Sequence, residues 1–238
     1  MKAIQIYNLI KKYNNKEVLN IERISICQGE IVTIIGLNGS GKTTLLKIIS
    51  GLVLQDSGEV LVLGYKNISK NIKNNVKYVV ESGRGYYDYL TARQNIRYFL
   101  KLNHVSYRNN EDRLKEYYKI FDFDEYLDKK VEELSQGNRQ KLSLIIALMC
   151  SPKILCLDEP TNGLDMLTQN IFEKILTELS KKGVTILITT HDLELIKNIS
   201  TKSIVLNKGK LMYSGDLNKK LDSEINLKEI ITEVITNE

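Results

Sequence analysis

The residue pattern in this chain with the clearest chemistry is an apolar run that ends in two acids, Ile154-Leu155-Cys156-Leu157-Asp158-Glu159-Pro160. Burying a strand that carries two carboxylates at its tip is costly unless a cation meets them. Upstream, Gly36-Leu37-Asn38-Gly39-Ser40-Gly41-Lys42-Thr43 matches the pattern G-x-x-x-x-G-K-[ST]. It follows a continuous apolar run, Ile31 to Ile35, and precedes a helical pattern. Its glycines permit tight turns, so backbone N–H groups converge on an anion. In such a loop Lys42 reaches the β- and γ-phosphates of a nucleotide and the Thr43 hydroxyl reaches Mg²⁺. Thr44 continues the cradle. A third pattern, Leu134-Ser135-Gln136-Gly137-Asn138, is a small-residue turn at a predicted helix start, where free N–H groups can hold a second anion. Two anion cradles and an acidic strand point to a machine driven by ATP.

The chemistry then distributes itself. Asp158 is expected to hold Mg²⁺ opposite Thr43, largely through water. Glu159 is expected to polarise the attacking water as general base. His191 follows the buried run Ile186 to Thr190, at the sheet edge where ligands bind in open α/β folds. There it can hydrogen-bond the γ-phosphate and hold the water. The other histidine, His104, reads as surface.

The elements that must position these residues alternate. Residues 2–8, 21–27 and 59–63 read as strands, as do Ile31 to Ile35, Ile154 to Leu157 and Val184 to Thr189. Residues 203–207 and 211–214 flank a hairpin turn at Lys208-Gly209-Lys210. Helical patterns cover Thr43 to Ser50, 91–103 behind Thr91 as N-cap, 111–121, 138–150, 166–182 and 223–235. Buried strands alternating with helices predict an α/β fold around a parallel sheet. Residues 85–150 carry helices and read as an inserted helical subdomain. It splits a nucleotide-binding core formed by 1–84 and 151–215, and 216–238 is a helical tail of the same single domain. Lys66, Lys70, Lys73 and Lys77 recur at helical spacing, as a solvated face on a short helix.

Composition narrows the setting. The chain has 238 residues, 42% of them hydrophobic, and a net charge of +5. The first 80 residues carry 11 Lys/Arg against 5 Asp/Glu. That footprint is too weak to imply nucleic acid. No apolar run reaches the ~18–20 residues that span a bilayer, and the N-terminus lacks a signal-peptide pattern. Cys27, Cys150 and Cys156 have no metal-binding spacing and read as small buried hydrophobes.

Taken together, these residues resemble the ATP-binding subunit of ATP-binding cassette (ABC) transporters, similar to bacterial exporters with separate ATPase and membrane subunits. The resemblance runs from Tyr13 to about Gly215. It rests on five motifs in the family's order: Walker A at 36–43, signature at 134–138, Walker B at 154–159, D-loop at Gly163-Leu164-Asp165, and the switch histidine His191. It implies a P-loop fold with a mostly parallel sheet, an N-terminal antiparallel β part and the helical insertion. It also implies a head-to-tail dimer of this chain or a homologous subunit, with each ATP and its Mg²⁺ between Walker A of one copy and the signature of the other. Ser135 and Gly137 are then expected against the γ-phosphate, Asp165 as the link between sites, and Tyr13, rather than the strand residue Tyr7, as the adenine stack. The resemblance further implies a membrane permease docked near Glu81 to Leu90, which places the chain at the cytoplasmic face of the membrane.

Two residues depart from the family pattern. The signature reads LSQGN instead of LSGGQ, with Ser135 and Gly137 kept. Glu81 stands where the Q-loop carries glutamine. A carboxylate only accepts hydrogen bonds and adds charge, so Glu81 is expected to bind nucleotide through Mg²⁺ and to sharpen the metal dependence. The competing class is an ABC ATPase that moves no solute and acts on DNA, the ribosome or an assembly complex. The chain's single cassette without a strongly basic arm speaks against it.

Overall fold

The computed structural model describes residues 1–81 and 85–216. The helix expected at 223–235 lies outside them. β1 (Lys2–Tyr13) and β2 (Lys16–Cys27) form a hairpin across Asn14-Asn15. Both asparagines adopt left-handed backbone, φ 49° and 61°, as a two-residue hairpin of this hand requires. Next come β3 (Ile31–Ile35), α1 (Lys42–Ile49), β4 (Ser57–Val62), β5 (Tyr65–Lys66), α2 (Lys70–Lys73) and β6 (Val76–Val79). Helices α3 (Ala92–Leu102), α4 (Glu111–Ile120) and α5 (Gln136–Met149) follow with no strand among the described residues between them. The chain then alternates through β7 (Ile154–Asp158), α6 (Met166–Lys181), β8 (Thr185–Thr189), α7 (Leu193–Ile199), β9 (Lys202–Asn207) and β10 (Lys210–Gly215).

Among the described residues the strands form one sheet of ten, in the order β5-β4-β1-β2-β10-β9-β3-β8-β7-β6. Strands β9, β3, β8, β7 and β6 run parallel. β1, β2, β4 and β5 pair antiparallel. β10 joins the two parts, antiparallel to β9 and parallel to β2. The continuous apolar runs are explained by burial on both faces. Along β7, Ile154 and Cys156 enter one core while Leu155 and Leu157 enter the other. The first core gathers β1, β2, β4 and α1, and the second gathers α3 to α7. Parallel strands share one C-terminal edge, so β6, β7, β8 and β3 deliver their following residues to one place.

Several expectations need correction. The four lysines do not share a helix: only Lys70 and Lys73 lie on α2, with Lys66 on β5 and Lys77 on β6. β-Pairing with β4 and β7 claims the two ends and overrides the helical spacing. Cys156 is buried, but Cys27 and Cys150 are half-buried. Tyr7 is half-buried as well, with the Arg23 guanidinium over its ring. The short helix expected within 66–77 is present only as the four residues of α2, whereas α7 was not expected; at seven residues it is too short to show a clear period.

The N-terminus of α3 is locked by Thr91 and Gln94, which cap each other's backbone. One turn on, the fully buried Asn95 holds the tyrosine-rich loop. Its Oδ1 accepts from the Tyr87 N–H, and its Nδ2 donates to the carbonyls of Tyr87, Leu90 and Thr91. Asn95→Ala is therefore expected to cost about 1–3 kcal/mol, the penalty for polar groups left unpaired. Hydrogen exchange should show the Tyr87 amide losing protection. An unchanged amide would mean that the loop holds itself.

Candidate active site

The shared strand edge forms an open cleft of about 400 Å³. It is lined by residues 38–44, Val18, Glu81, Asp158, Glu159, Asn162 and His191. The loop after β3 turns into α1 at Gly41, whose backbone is left-handed at φ 100°. A side chain there would also run into Leu19, with Cδ2 only 2.5 Å from a Cβ. Gly36 is constrained by space, since a Cβ would lie 2.3 Å from the Leu206 carbonyl oxygen. Gly39 meets nothing within 4 Å and leaves the cradle open. Gly36 and Leu37 are not among the cleft-lining residues, and their carbonyls accept from Lys42 Nζ at 2.8 and 3.3 Å.

Asp158 is 4% exposed and accepts three hydroxyl hydrogen bonds. Thr189 and Thr43 donate to Oδ1 at 2.6 and 3.1 Å, and Tyr78 donates to Oδ2 at 2.8 Å. Three donors satisfy much of the buried carboxylate's hydrogen-bonding capacity. Thr43 and Asp158, expected on either side of Mg²⁺, lie within direct hydrogen-bond distance of each other.

Glu159 leaves β7 through a left-handed residue, φ 44°. Its N–H is held by the Thr189 carbonyl and hydroxyl at 3.1 and 3.0 Å. Strained backbone of this kind aims a side chain at the cost of local stability. Oε1 is buried, makes no hydrogen bond, and lies 3.4 Å from His191 Nε2. Burial raises the Glu159 pKa, and Asp158 and Glu81 push it the same way, against His191 and Lys42. A base closer to the working pH is better matched to proton abstraction. Burial likewise lowers the Lys42 pKa, against Glu159 and Asp158. His191 is placed by its neighbours, because Asp192 caps α7 and its N–H is held by the Thr190 hydroxyl. Lys42 Nζ lies 3.5 Å from His191 Nε2.

The cleft fits a magnesium nucleotide. Three carboxylates (Glu81, Asp158 and Glu159) face one buried ammonium, an imbalance that a divalent cation corrects. Ser40 Oγ is also buried and unpartnered in the cradle. Glu81 joins the cleft and accepts from Asn162 Nδ2 at 3.2 Å.

The other expected residues stand apart. Tyr13 is 45% exposed at the β1 hairpin, with Lys11 over its ring, and is not part of the cleft lining. Ser135 caps α5, accepting from the Asn138 N–H at 3.3 Å. Like Gly137 and Asp165, it lies outside the cleft of its own chain. Gly137 packs on the segment that follows Walker B; a Cβ there would lie 2.2 Å from the Gly163 carbonyl oxygen. Asp165 caps α6 through the Thr168 N–H and hydroxyl and sits 3.9 Å from Lys141 Nζ.

Sequence reasoning missed Tyr78, Thr189, Asn162 and Val18. Thr189 carried a signal, as the polar residue that ends the apolar run of β8 beside Asp158, whereas Tyr78 becomes relevant only through β6–β7 pairing. Val18 and Asn162 carried none.

The Thr168 hydrogen bonds hold the Asp165 pKa below the usual carboxylate range. A depressed folded-state pKa gives stability that is present above the unfolded value of about 3.9 and lost as pH falls through the folded value. Asp165→Ala is expected to cost about 1 kcal/mol at neutral pH, while Asp165→Asn keeps most of the cap. The gap between parent and Asn variant should close in acid. Urea unfolding at pH 7 and pH 3 checks this, and an Ala variant as stable as the parent would contradict the capping role.

The comparisons agree with this geometry. The ABC transporter family model matches residues 19–162. The ABC transporter ATP-binding protein NatA of Bacillus subtilis is 32% identical over 203 residues, covering 84% of this chain and 82% of that protein. The spermidine/putrescine import ATP-binding protein PotA of Spiroplasma citri is 34% identical over 89% of this chain, which spans 61% of that protein. A solved ATP-binding subunit of an ABC transporter superposes with a TM-score of 0.89, at 26% identity, covering 98% of this chain and 99% of that one. A dimeric ATP-binding cassette in a post-hydrolysis state with ADP and Pi gives 0.81, at 27% identity, covering 90% and 98%. The chain belongs to the ABC transporter family, as an ATP-binding and ATP-hydrolysing subunit.

Proposed function

We propose that two copies of this chain, or one copy and a homologous subunit, close head to tail around MgATP and drive a separate membrane permease. The observation that carries this reading is the split between the two anion cradles. The Lys42 loop lines the cleft, whereas the Ser135 turn is exposed and lies outside it. A second chain is needed to bring the two to one phosphate. The dimeric cassette with ADP and Pi is similar in fold and supports the same arrangement.

On nucleotide binding Lys42 exchanges its two carbonyl partners for phosphate oxygens, and the open backbone at Gly39 admits them. Thr43 and Asp158, with Glu81 beside them, would hold Mg²⁺, which would supply neutralisation of phosphate charge. Glu159 accepts a proton from the attacking water, whose oxygen bonds to the γ-phosphorus as the bond to the ADP oxygen breaks. His191 holds the water and the γ-phosphoryl group against Glu159. ADP leaves with the electron pair of the broken bond.

The permease is proposed to dock in the groove beside β6. Its walls include Leu52, Val80, Tyr86, Phe99 and Ile146, and Lys73 and Lys77 supply positive charge. Tyr87 and Tyr89 extend it as exposed rings at 49% and 80%. Among the described residues no helix is long and apolar enough to cross a membrane, so the coupled motion needs a partner that does. We propose export as the direction, on the LSQGN signature and on Glu81, with a peptide, antibiotic or other small molecule as cargo. Flux into inverted vesicles tests it, and accumulation in the opposite sense would reverse the assignment to that named for PotA.

Two substitutions test the site. Glu159→Gln should bind MgATP normally, lose at least a hundredfold in turnover, and elute as a dimer with nucleotide. Normal turnover would remove Glu159 from the role of base. Glu81→Gln removes one negative charge and should reduce the dependence of turnover on Mg²⁺. Identical metal titrations for the two proteins would dismiss a metal role for Glu81.

A further inference from the structure

The hydrogen bond from Tyr78 to Asp158 has a role that the five family motifs do not include. Tyr78 pairs with Cys156 across β6 and β7, and Asp158 lies two residues further along the same face. That diagonal spacing suits a ring reaching along the neighbouring strand. The ring packs with the apolar core beneath, and the hydroxyl emerges at the tip of β7 to donate to Oδ2 at 2.8 Å. The donors to Oδ1 have further duties: Thr43 lines the cleft, and the Thr189 hydroxyl also accepts from the Glu159 N–H. Tyr78 is absent from the cleft lining, so it reaches the nucleotide only through Asp158.

We propose that Tyr78 is a positioning residue that fixes the Asp158 carboxylate with Oδ1 toward Thr43, and so sets the divalent-cation requirement of nucleotide binding. The inference rests on the reading of Thr43 and Asp158 as the metal-holding pair. A carboxylate held on one oxygen by an outer donor presents its other oxygen in a fixed direction. Loss of such an outer-shell partner typically costs 10–100-fold in metal affinity or activity. Phenylalanine fills the same apolar space, so the hydroxyl alone distinguishes the two side chains.

The test is Tyr78→Phe in the full chain, read by binding of a fluorescent, non-hydrolysable ATP analogue as Mg²⁺ is titrated. The half-saturating Mg²⁺ concentration should rise 10–100-fold. Binding without metal should change less than about twofold, and the nucleotide-free protein should keep a cooperative melt, its midpoint lowered by the loss of one of three donors. An unchanged Mg²⁺ requirement overturns the proposal. So does an equal loss of binding with and without metal, or a Tyr78→Phe chain that fails to fold, since either assigns the hydroxyl to the scaffold. If parent binding ignores Mg²⁺ altogether, the Thr43–Asp158 reading fails first, and the two failures remain distinct.

Discussion

A carboxylate is held almost without solvent at the end of a buried strand, and the rest of the molecule is arranged to permit it. Asp158 is stabilised by hydroxyls from three other elements: α1, β6 and β8. Each element must therefore end at the same edge and in the same register. The parallel pairing of β6, β7 and β8 achieves this, with Asp158 opposite Thr189 and Tyr78 opposite Cys156. Neutral donors satisfy the geometry of the acid but leave its charge in place. The neighbouring Glu159 and Glu81 add to that charge. The cleft thus fits the proposed binding of a cation together with its anionic nucleotide.

The Ser135 turn lies outside the cleft of its own chain. Ser135 and Gly137 are tied to the far side of the Walker B segment, through the close approach of Gly137 to Gly163 and the Lys141–Asp165 pair. Arg139 clamps the turn further, donating to the carbonyls of Leu134 and Glu132. The turn is rigid where it stands and faces outward. In the proposed dimer, closure around ATP would bring two preformed surfaces together, which would keep the ordering cost of binding low.

Much of this was legible from residue types. The glycine-lysine-threonine loop and the strand ending in Asp158 and Glu159 announce themselves because each needs special backbone or special neighbours. Buried strands such as β3 and β8 were visible as unbroken apolar runs, since both of their faces are covered. What remained hidden depends on contacts distant in sequence. Tyr78 and Asp158 are 80 positions apart, and only β6–β7 pairing brings them together. The lysine series from 66 to 77 looked helical because local spacing does not reveal which residues a sheet edge will claim. Tyr13 and Ser135 are expected to touch the nucleotide or a second copy, so neighbours within the chain do not mark them.

The central claim is that Thr43 and Asp158 hold a metal whose nucleotide is completed by the Ser135 turn of another chain. A crystal structure of the Glu159→Gln protein grown with MgATP addresses it most directly. The account predicts Mg²⁺ at about 2.0–2.1 Å from the Thr43 hydroxyl, Asp158 beside it, and the Ser135 turn of a second chain against the γ-phosphate. A nucleotide bound with no metal between Thr43 and Asp158, in a lone chain whose Ser135 faces solvent, would contradict it.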